Sequence, residues 1–220
     1  TLGDGALSPR ENHQIMGTVD EVKLLRPGQT WYTDTAVEFS RSQISVDMYL
    51  FPRSYIDVAT LGDLPKLTAG TLRTYPGFNY DTDGPKFESE LCRSLTQHTA
   101  FESVMRIRCT RGMKITNFYG NFFIRGSDLL ALPNCNADSV FAFDFAHDEH
   151  NLSSTFMTIQ TAVLYTSSEG ERRIRVITQA VPVTSLASEV INTVDGDALS
   201  ALLAKQALDV AVKTNLDNAR

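Results

Sequence analysis

The chain has 220 residues, with 20 Lys and Arg against 26 Asp and Glu, and a formal net charge of -6. A bulk charge of that sign excludes a protein that coats nucleic-acid phosphates. A composition of 42% hydrophobic and 21% charged residues excludes a disordered chain, and no apolar run approaches the roughly 20 residues that a bilayer-spanning helix needs.

The opening TLGDGALSPR has neither the basic region nor the apolar stretch of a secretion signal. Cys92, Cys109 and Cys135 are an odd count at wide spacing, with no CxxC pair, which argues against a disulfide framework and against a structural zinc knuckle. Asn151-Leu-Ser153 matches a glycosylation sequon that goes unused without secretion. The expectation is a cytosolic protein.

Residues 1 to 30 show no sustained period and read as an irregular entry. The spacing of Tyr32, Ala36, Val37 and Phe39 predicts a helix over 30–42, and the β-branched and aromatic run from Ile44 to Phe51 predicts a strand. The pair recurs as a helix over 57–67 ended by Gly70 and a short strand over 71–75. A third helix is expected from Lys86 to Thr99. Helices alternating with strands indicate part of an open α/β sheet. With two parallel strands and no glycine-rich first turn, the N-terminal half of that sheet is expected to be missing from the chain.

After Phe101 the pattern becomes strand upon strand. Ser103–Thr110, Lys114–Ile124, Val140–Ala146, Phe156–Tyr165 and Arg172–Val181 predict a five-stranded antiparallel unit, with 126–138, 147–154 and 167–170 as connectors. From Leu186 the apolar residues return to helical spacing, broken at Asp195-Gly196, so two helices are expected at the end.

Arginine alternation is the most informative pattern. Met105-Arg106-Ile107-Arg108 puts both guanidinium groups on one face of a strand, and Arg173-Ile174-Arg175-Val176 repeats the device. With Arg111 and Lys114 these residues are expected to give an otherwise acidic protein one basic face. Two readings stay open. The face is either solvated and neutralised by Glu102, Glu169 and Glu171, or it meets an external anion.

Other clusters are weaker. His147-Asp-Glu-His150 holds metal-competent side chains but sits in a polar loop, where solvation is the ordinary outcome. Asn79-x-Asp81-x-Asp83-Gly84 with Glu90 has calcium-loop spacing, contradicted by its flanks, where Pro76 and Lys86 replace helix and apolar pin. His98 falls beside Cys92 at a helix end and reads as packed or capping rather than as half of a catalytic pair. There is no GxSxG elbow and no phosphate loop. The residues favour a binding module over an enzyme, with no metal site.

Several stretches resemble one family. They are Val46-Asp-Met-Tyr-Leu-Phe51, Asp57-Val-Ala-Thr-Leu61, Phe101-Glu-Ser-Val-Met-Arg-Ile-Arg108, Tyr119-Gly-Asn-Phe-Phe123, Ser127-Asp-Leu-Leu-Ala-Leu-Pro133, Leu164-Tyr-Thr-Ser-Ser168 and Gly170-Glu-Arg-Arg-Ile-Arg-Val176, with Leu203-Ala-Lys-Gln-Ala207 and Asp217-Asn-Ala-Arg220 beyond. The chain is similar along nearly its whole length to the cargo-selecting subunit of the inner COPII vesicle coat, the Sec-twenty-four family. The resemblance implies a fold of α/β plus β class. Residues 1–100 would be the C-terminal part of a von Willebrand factor A-like trunk, 101–184 an antiparallel β-sandwich and 185–220 the start of a helical domain. The family's zinc finger lies outside the chain, so no cofactor is implied here.

It further implies a cargo adaptor, peripheral on the endoplasmic reticulum membrane and its vesicles, that binds acidic sorting signals of the Asp-x-Glu and Leu-x-x-Leu-Glu kinds in membrane-cargo tails. The family's signal pocket falls on Arg106, Arg108 and Leu164 of this chain. Implied partners are the coat's GTPase-activating subunit, its small GTPase and an acidic membrane surface. The alternatives are a coat module facing anionic lipid without side-chain specificity, and a metal-dependent hydrolase built on His147 to His150.

Charge also divides by segment. Residues 1–100 carry 9 cations and 13 anions, and residues 101–184 carry 8 of each, so the second segment is neutral only in sum.

Overall fold

The computed structural model describes residues 3–10, 12–126, 128–148, 154–214 and 216–219. Its first unit is α/β. Helix α1 (Trp31–Arg41) buries Tyr32, Ala36 and Ser40, one residue per turn on one face. The helix expected over 57–67 is two short ones, α2 (Val58–Leu61) and α3 (Asp63–Leu67). Pro65 accounts for the break: it has no N–H to give to the Leu61 carbonyl, and its ring would clash there in a continuous helix. Asp57 caps α2 by accepting from the Thr60 backbone N–H at 3.1 Å.

Strands β1 (Met48–Leu50) and β2 (Leu72–Thr74) pair in parallel, Met48 opposite Leu72. The strand expected from Ile44 is paired only from Met48, because the Val46 N–H is taken by Thr68 Oγ1 at 3.1 Å. Gly70 lies where a Cβ would stand 2.0 Å from the Val46 carbonyl oxygen, so only glycine allows this approach.

Helix α4 (Tyr80–Thr96) begins six residues before the expected Lys86. Asn79 is its cap, accepting from the Asp81 N–H at 2.9 Å, while Asp83 accepts from the Asn79 N–H at 3.0 Å. The calcium-like spacing is therefore a capped helix start, in which the carboxylates serve backbone donors and the helix dipole. The opposite side of α4 covers β1 and β2, with Phe51, Tyr75, Phe78 and Phe87 in edge and stacked contacts.

The second unit contains seven strands among the described residues, where five were expected. They are β3 (Thr99–Cys109), β4 (Met113–Tyr119), β5 (Phe123–Arg125), β6 (Leu129–Asn136), β7 (Ala142–His147), β8 (Phe156–Thr166) and β9 (Arg172–Pro182). A five-stranded sheet in the order β5-β6-β3-β8-β9 packs on a two-stranded sheet of β4 and β7. The run expected as one strand over 114–124 is cut at Gly120, whose φ of 145° turns the chain from the small sheet into the large one.

The expected connector 126–138 is instead dominated by β6, in the middle of the sandwich. Leu130, Ala131 and Leu132 are fully buried there. Pro133 argues against a central strand in the sequence. It is accommodated because β5 pairs only with Leu129–Ala131, so past Ala131 the β6 edge needs no donor on that side. Met105, Ile107, Phe122, Leu130 and Leu132 form the core between the sheets.

Helices α5 (Ala187–Asn192), α6 (Gly196–Lys213) and α7 (Leu216–Ala219) follow. The expected break at 195–196 is the α6 cap, Asp195 accepting from the Asp197 and Ala198 N–H groups at 3.1 Å. The far end of α6 is held by Arg26, whose Nε donates to the Val212 carbonyl at 3.0 Å, filling an acceptor that a helix end leaves open. No helix among the described residues is long and apolar enough to cross a membrane.

The entry segment is more organised than its composition suggests. Arg10 donates to Asp57 Oδ1 and Oδ2 at 3.0 and 2.8 Å, to Thr60 Oγ1 at 3.2 Å, and to the carbonyls of Lys23 and Arg26 at 2.7 and 2.6 Å. One guanidinium thus ties residues 23–26 to the α2 cap.

Candidate functional site

The register of the large sheet decides which side chains share a face. Val104 stands opposite Leu164, Arg106 opposite Ala162 and Arg108 opposite Gln160. Directly opposed residues project to the same side, so Arg106, Arg108 and Leu164 lie on one face, away from the Met105 and Ile107 core. The arginines are two residues apart on β3, about 7 Å, and Leu164 is one strand away, about 5 Å sideways.

Arg106 is half-exposed and its Nε donates to Asp128 Oδ2 at 2.7 Å. That bond leaves the two Nη groups of Arg106 directed elsewhere and fixes the plane of the guanidinium. No carboxylate among the described residues pairs with Arg108. Asp128 was not legible in the sequence as a partner. It precedes Leu129, which the register sets opposite Arg106, and that strand was expected to be a connector.

Of the cations expected with them, Arg173 and Arg175 do not join this face, which corrects the expected basic surface, whereas Arg172, opposite Thr166 and donating to its Oγ1 at 2.9 Å, does. Val163 stands opposite Arg175 and Tyr165 opposite Arg173, so these arginines point to the other side of the sheet from Arg106 and Arg108. Alternation within a strand is visible in sequence, but the phase between strands is not, and a shift of one residue exchanges the faces. Arg173 is paired with Glu171. Arg111 lies in the exposed turn between β3 and β4. Lys114, on the small sheet, is 2.9 Å from Asp148.

Of the three acids expected to neutralise the arginines, Glu102 reaches Arg172 at 3.6 Å and Glu169 lies 3.9 Å from His98 Nδ1. None of the three meets Arg106 or Arg108.

Of the histidine cluster, His147 ends β7 and Asp148 pairs with Lys114, while Glu149 and His150 lie outside the described residues, as does the sequon at 151–153. No metal-competent group of three side chains occurs among the described residues. His98 is almost fully exposed and faces Glu169, so of the packed or capping roles expected for it the packed one is corrected. Burial pushes the Cys109 and Cys135 thiols up, away from the thiolate that nucleophilic chemistry needs.

Two concavities of about 580 and 540 Å³ share Ser54, Tyr55, Ile56 and Val58 in the α/β unit, and neither Arg106, Arg108 nor Leu164 lines them. The arginine face is an open sheet surface. Its shape suits a peptide laid across strands better than an engulfed small molecule.

Comparison with known proteins supplies the family. Residues 1–95 match the Sec23/Sec24 trunk domain and residues 100–184 the Sec23/Sec24 beta-sandwich domain. The chain is 42% identical, over its full length, to protein transport protein Sec24A of Bos taurus, covering 20% of that protein. It is 41% identical over its full length to protein transport protein sec24 of Neurospora crassa, covering 23% of it. The crystal structure of the human COPII-coat protein Sec24c superposes with a TM-score of 0.91 at 29% identity, over 97% of this chain and 29% of that one. The chain spans about a fifth of the length of these curated relatives. With a trunk segment followed by a β-sandwich, and with this identity running from end to end, the chain belongs to the Sec24 family.

Proposed function

We propose that this chain contributes to a COPII coat protein that selects membrane cargo for transport from the endoplasmic reticulum, by binding acidic sorting signals on the outer face of its β-sandwich. The observation that carries the reading is the shared face of Arg106, Arg108 and Leu164, with Arg108 unopposed by any carboxylate among the described residues. A guanidinium fork matches a carboxylate bidentately, and Leu164, 39% exposed, gives an aliphatic neighbour of the acid a dry seat. The role is that of an adaptor and not an enzyme. Its place is on the cytosolic side of the membrane, assembled with the coat's GTPase-activating subunit and small GTPase.

The test is titration of a Leu-x-x-Leu-Glu peptide into the wild type, Arg106→Ala, Arg108→Gln and Leu164→Trp. Each lost charge-assisted hydrogen bond is worth about 1.5–3 kcal/mol, so each arginine variant should bind at least tenfold more weakly. Leu164→Trp should block the seat. Equal affinities in all four proteins refute the site. An anionic-lipid surface gives a different pattern: vesicles rich in phosphatidylserine would be bound, steeply weakened by salt and indifferent to Leu164→Trp.

A further inference from the structure

Arg106 has a neighbour on either side of β3. Leu164 lies one strand away on β8, and Asp128, which precedes Leu129 opposite Arg106, lies one strand away at the start of β6. The Asp128 side chain is 36% exposed. Its Oδ2 accepts from the Arg106 Nε at 2.7 Å, while Oδ1 has no partner among the described residues. One carboxylate oxygen is therefore spent on holding the guanidinium, and the other is left to accept from whatever comes to lie beside it.

The other cations of this face do not offset that charge. Arg125, opposite Leu129 on β5 and so in the same cross-strand row, donates to the Ser40 carbonyl of the α/β unit at 3.4 Å. Arg172, at the far end of the face, donates to the Glu102 carbonyl and to Thr166 Oγ1 at 3.2 and 2.9 Å. Across the sheet the face thus runs from aliphatic at Leu164 through cationic at Arg106 to acidic at Asp128, over two strand spacings or about 10 Å.

We propose that Asp128 is a specificity-determining residue of the signal-binding site. It rejects signals that carry another acid in the one or two positions after the acid held by Arg106, and it favours a hydrogen-bond donor there. The proposal rests on the acidic-signal reading above. With an aliphatic side chain over Leu164 and the next residue's carboxylate on Arg106, the peptide runs from β8 across β3. A rise of about 3.3 Å per residue then brings the following one or two residues over Asp128. A carboxylate about 5 Å from Asp128 meets like charge, which water at this partly exposed position screens incompletely. A hydroxyl or an ammonium donates to Oδ1 instead. In an Asp-x-Glu signal the first acid precedes the held one and stays on the β8 side, clear of Asp128. The selectivity comes from a repulsive group set beside an attractive one.

The experiment is a two-by-two comparison on the full chain. Leu-x-x-Leu-Glu-Ser-Ser and Leu-x-x-Leu-Glu-Asp-Asp peptides are titrated into the wild type and into Asp128→Asn, whose amide oxygen still accepts from Arg106 Nε and keeps the guanidinium plane. The wild type should bind the Asp-Asp peptide about fivefold more weakly than the Ser-Ser peptide. In Asp128→Asn that difference should vanish, and in Asp128→Glu, which keeps the charge, it should persist. A distorted site would weaken both peptides and leave their ratio alone.

A wild type that binds both peptides equally, or prefers the Asp-Asp peptide, overturns the proposal. So does a fivefold difference that survives in Asp128→Asn. Arg108→Gln separates the two levels. If it weakens both peptides while Asp128→Asn leaves their ratio unchanged, only the role of Asp128 falls. If Arg108→Gln leaves both affinities at the wild-type value, the acidic-signal site falls and the role of Asp128 with it.

Discussion

Replacing Arg10 by Ala is the most demanding test of how the α/β unit is held together. The Arg10 and Asp57 side chains are 21% and 14% exposed, so the ion pair is largely withdrawn from water. The substitution removes the bonds to both Asp57 oxygens and to Thr60, and strands the carbonyls of Lys23 and Arg26. Asp57 keeps the Thr60 N–H and hydroxyl, at 3.1 and 2.6 Å, so its carboxylate is not fully orphaned. Breaking a fully buried pair costs about 3–5 kcal/mol, and the partial exposure and surviving Thr60 bonds bring the expectation to about 2–4 kcal/mol. Arg10→Lys should recover less than half of that, because an ammonium cannot fork to the carboxylate and reach both carbonyls.

Urea unfolding followed by the single tryptophan is the assay. Trp31 packs edge-on against Tyr32 in the same unit, with ring centroids 4.9 Å apart. The pH dependence is a second readout. Burial opposes ionisation of Asp57, but the hydrogen bonds from Thr60 and Arg10 outweigh it and hold the carboxyl below its ordinary value of 3.8. A depressed folded-state value contributes stability that is present above about pH 4 and is lost as pH falls through the folded value. The wild type should therefore lose more stability than Arg10→Ala on acidification. An Arg10→Ala protein within about 0.5 kcal/mol of the wild type, with an identical acid limb, would refute the reasoning.

Two further outcomes follow from the same unit. Gly70→Ala places a methyl on the Val46 carbonyl and should separate β1 from β2, destabilising by about 2 kcal/mol or more, visible as lost amide-exchange protection at Tyr49 and Leu50. Tyr75, 5% exposed and bonded to Glu90, is pushed up to about 12 by burial first and the Glu90 carboxylate second. Absorbance titration of the seven tyrosines should show one that ionises late and moves down in Glu90→Gln. Its neutral form is favoured in the fold, so stability should fall as pH rises from about 10 to about 12.

Local sequence carried much of the architecture. The helix at α1, the alternation on β3, β8 and β9, and the break before α6 were legible because each is a periodicity or a cap within a few residues. The start of α4 was misplaced although Asn79 and Asp83 signalled it, because the same carboxylate spacing also fits a calcium loop. Strand β6 was missed for a different reason. A strand buried on both faces shows no alternation, and Pro133 is tolerated only because β5 stops short of it.

The site divides along the same line. Sequence by itself determined that Arg106 and Arg108 share a face, since a period of two is a property of one strand. It determined as well, through long ordered motifs, the family to which the chain belongs. Only the tertiary structure decided that Leu164 joins them, that Asp128 holds one of the pair, and that Arg173 and Arg175 turn away and leave Ile174 and Val176 on the arginine side. The reason is physical. Which face a residue takes relative to a neighbouring strand depends on inter-strand register, which bulges, turns and core packing set jointly. One such bulge, at Glu102 with φ 48°, lies within β3 itself.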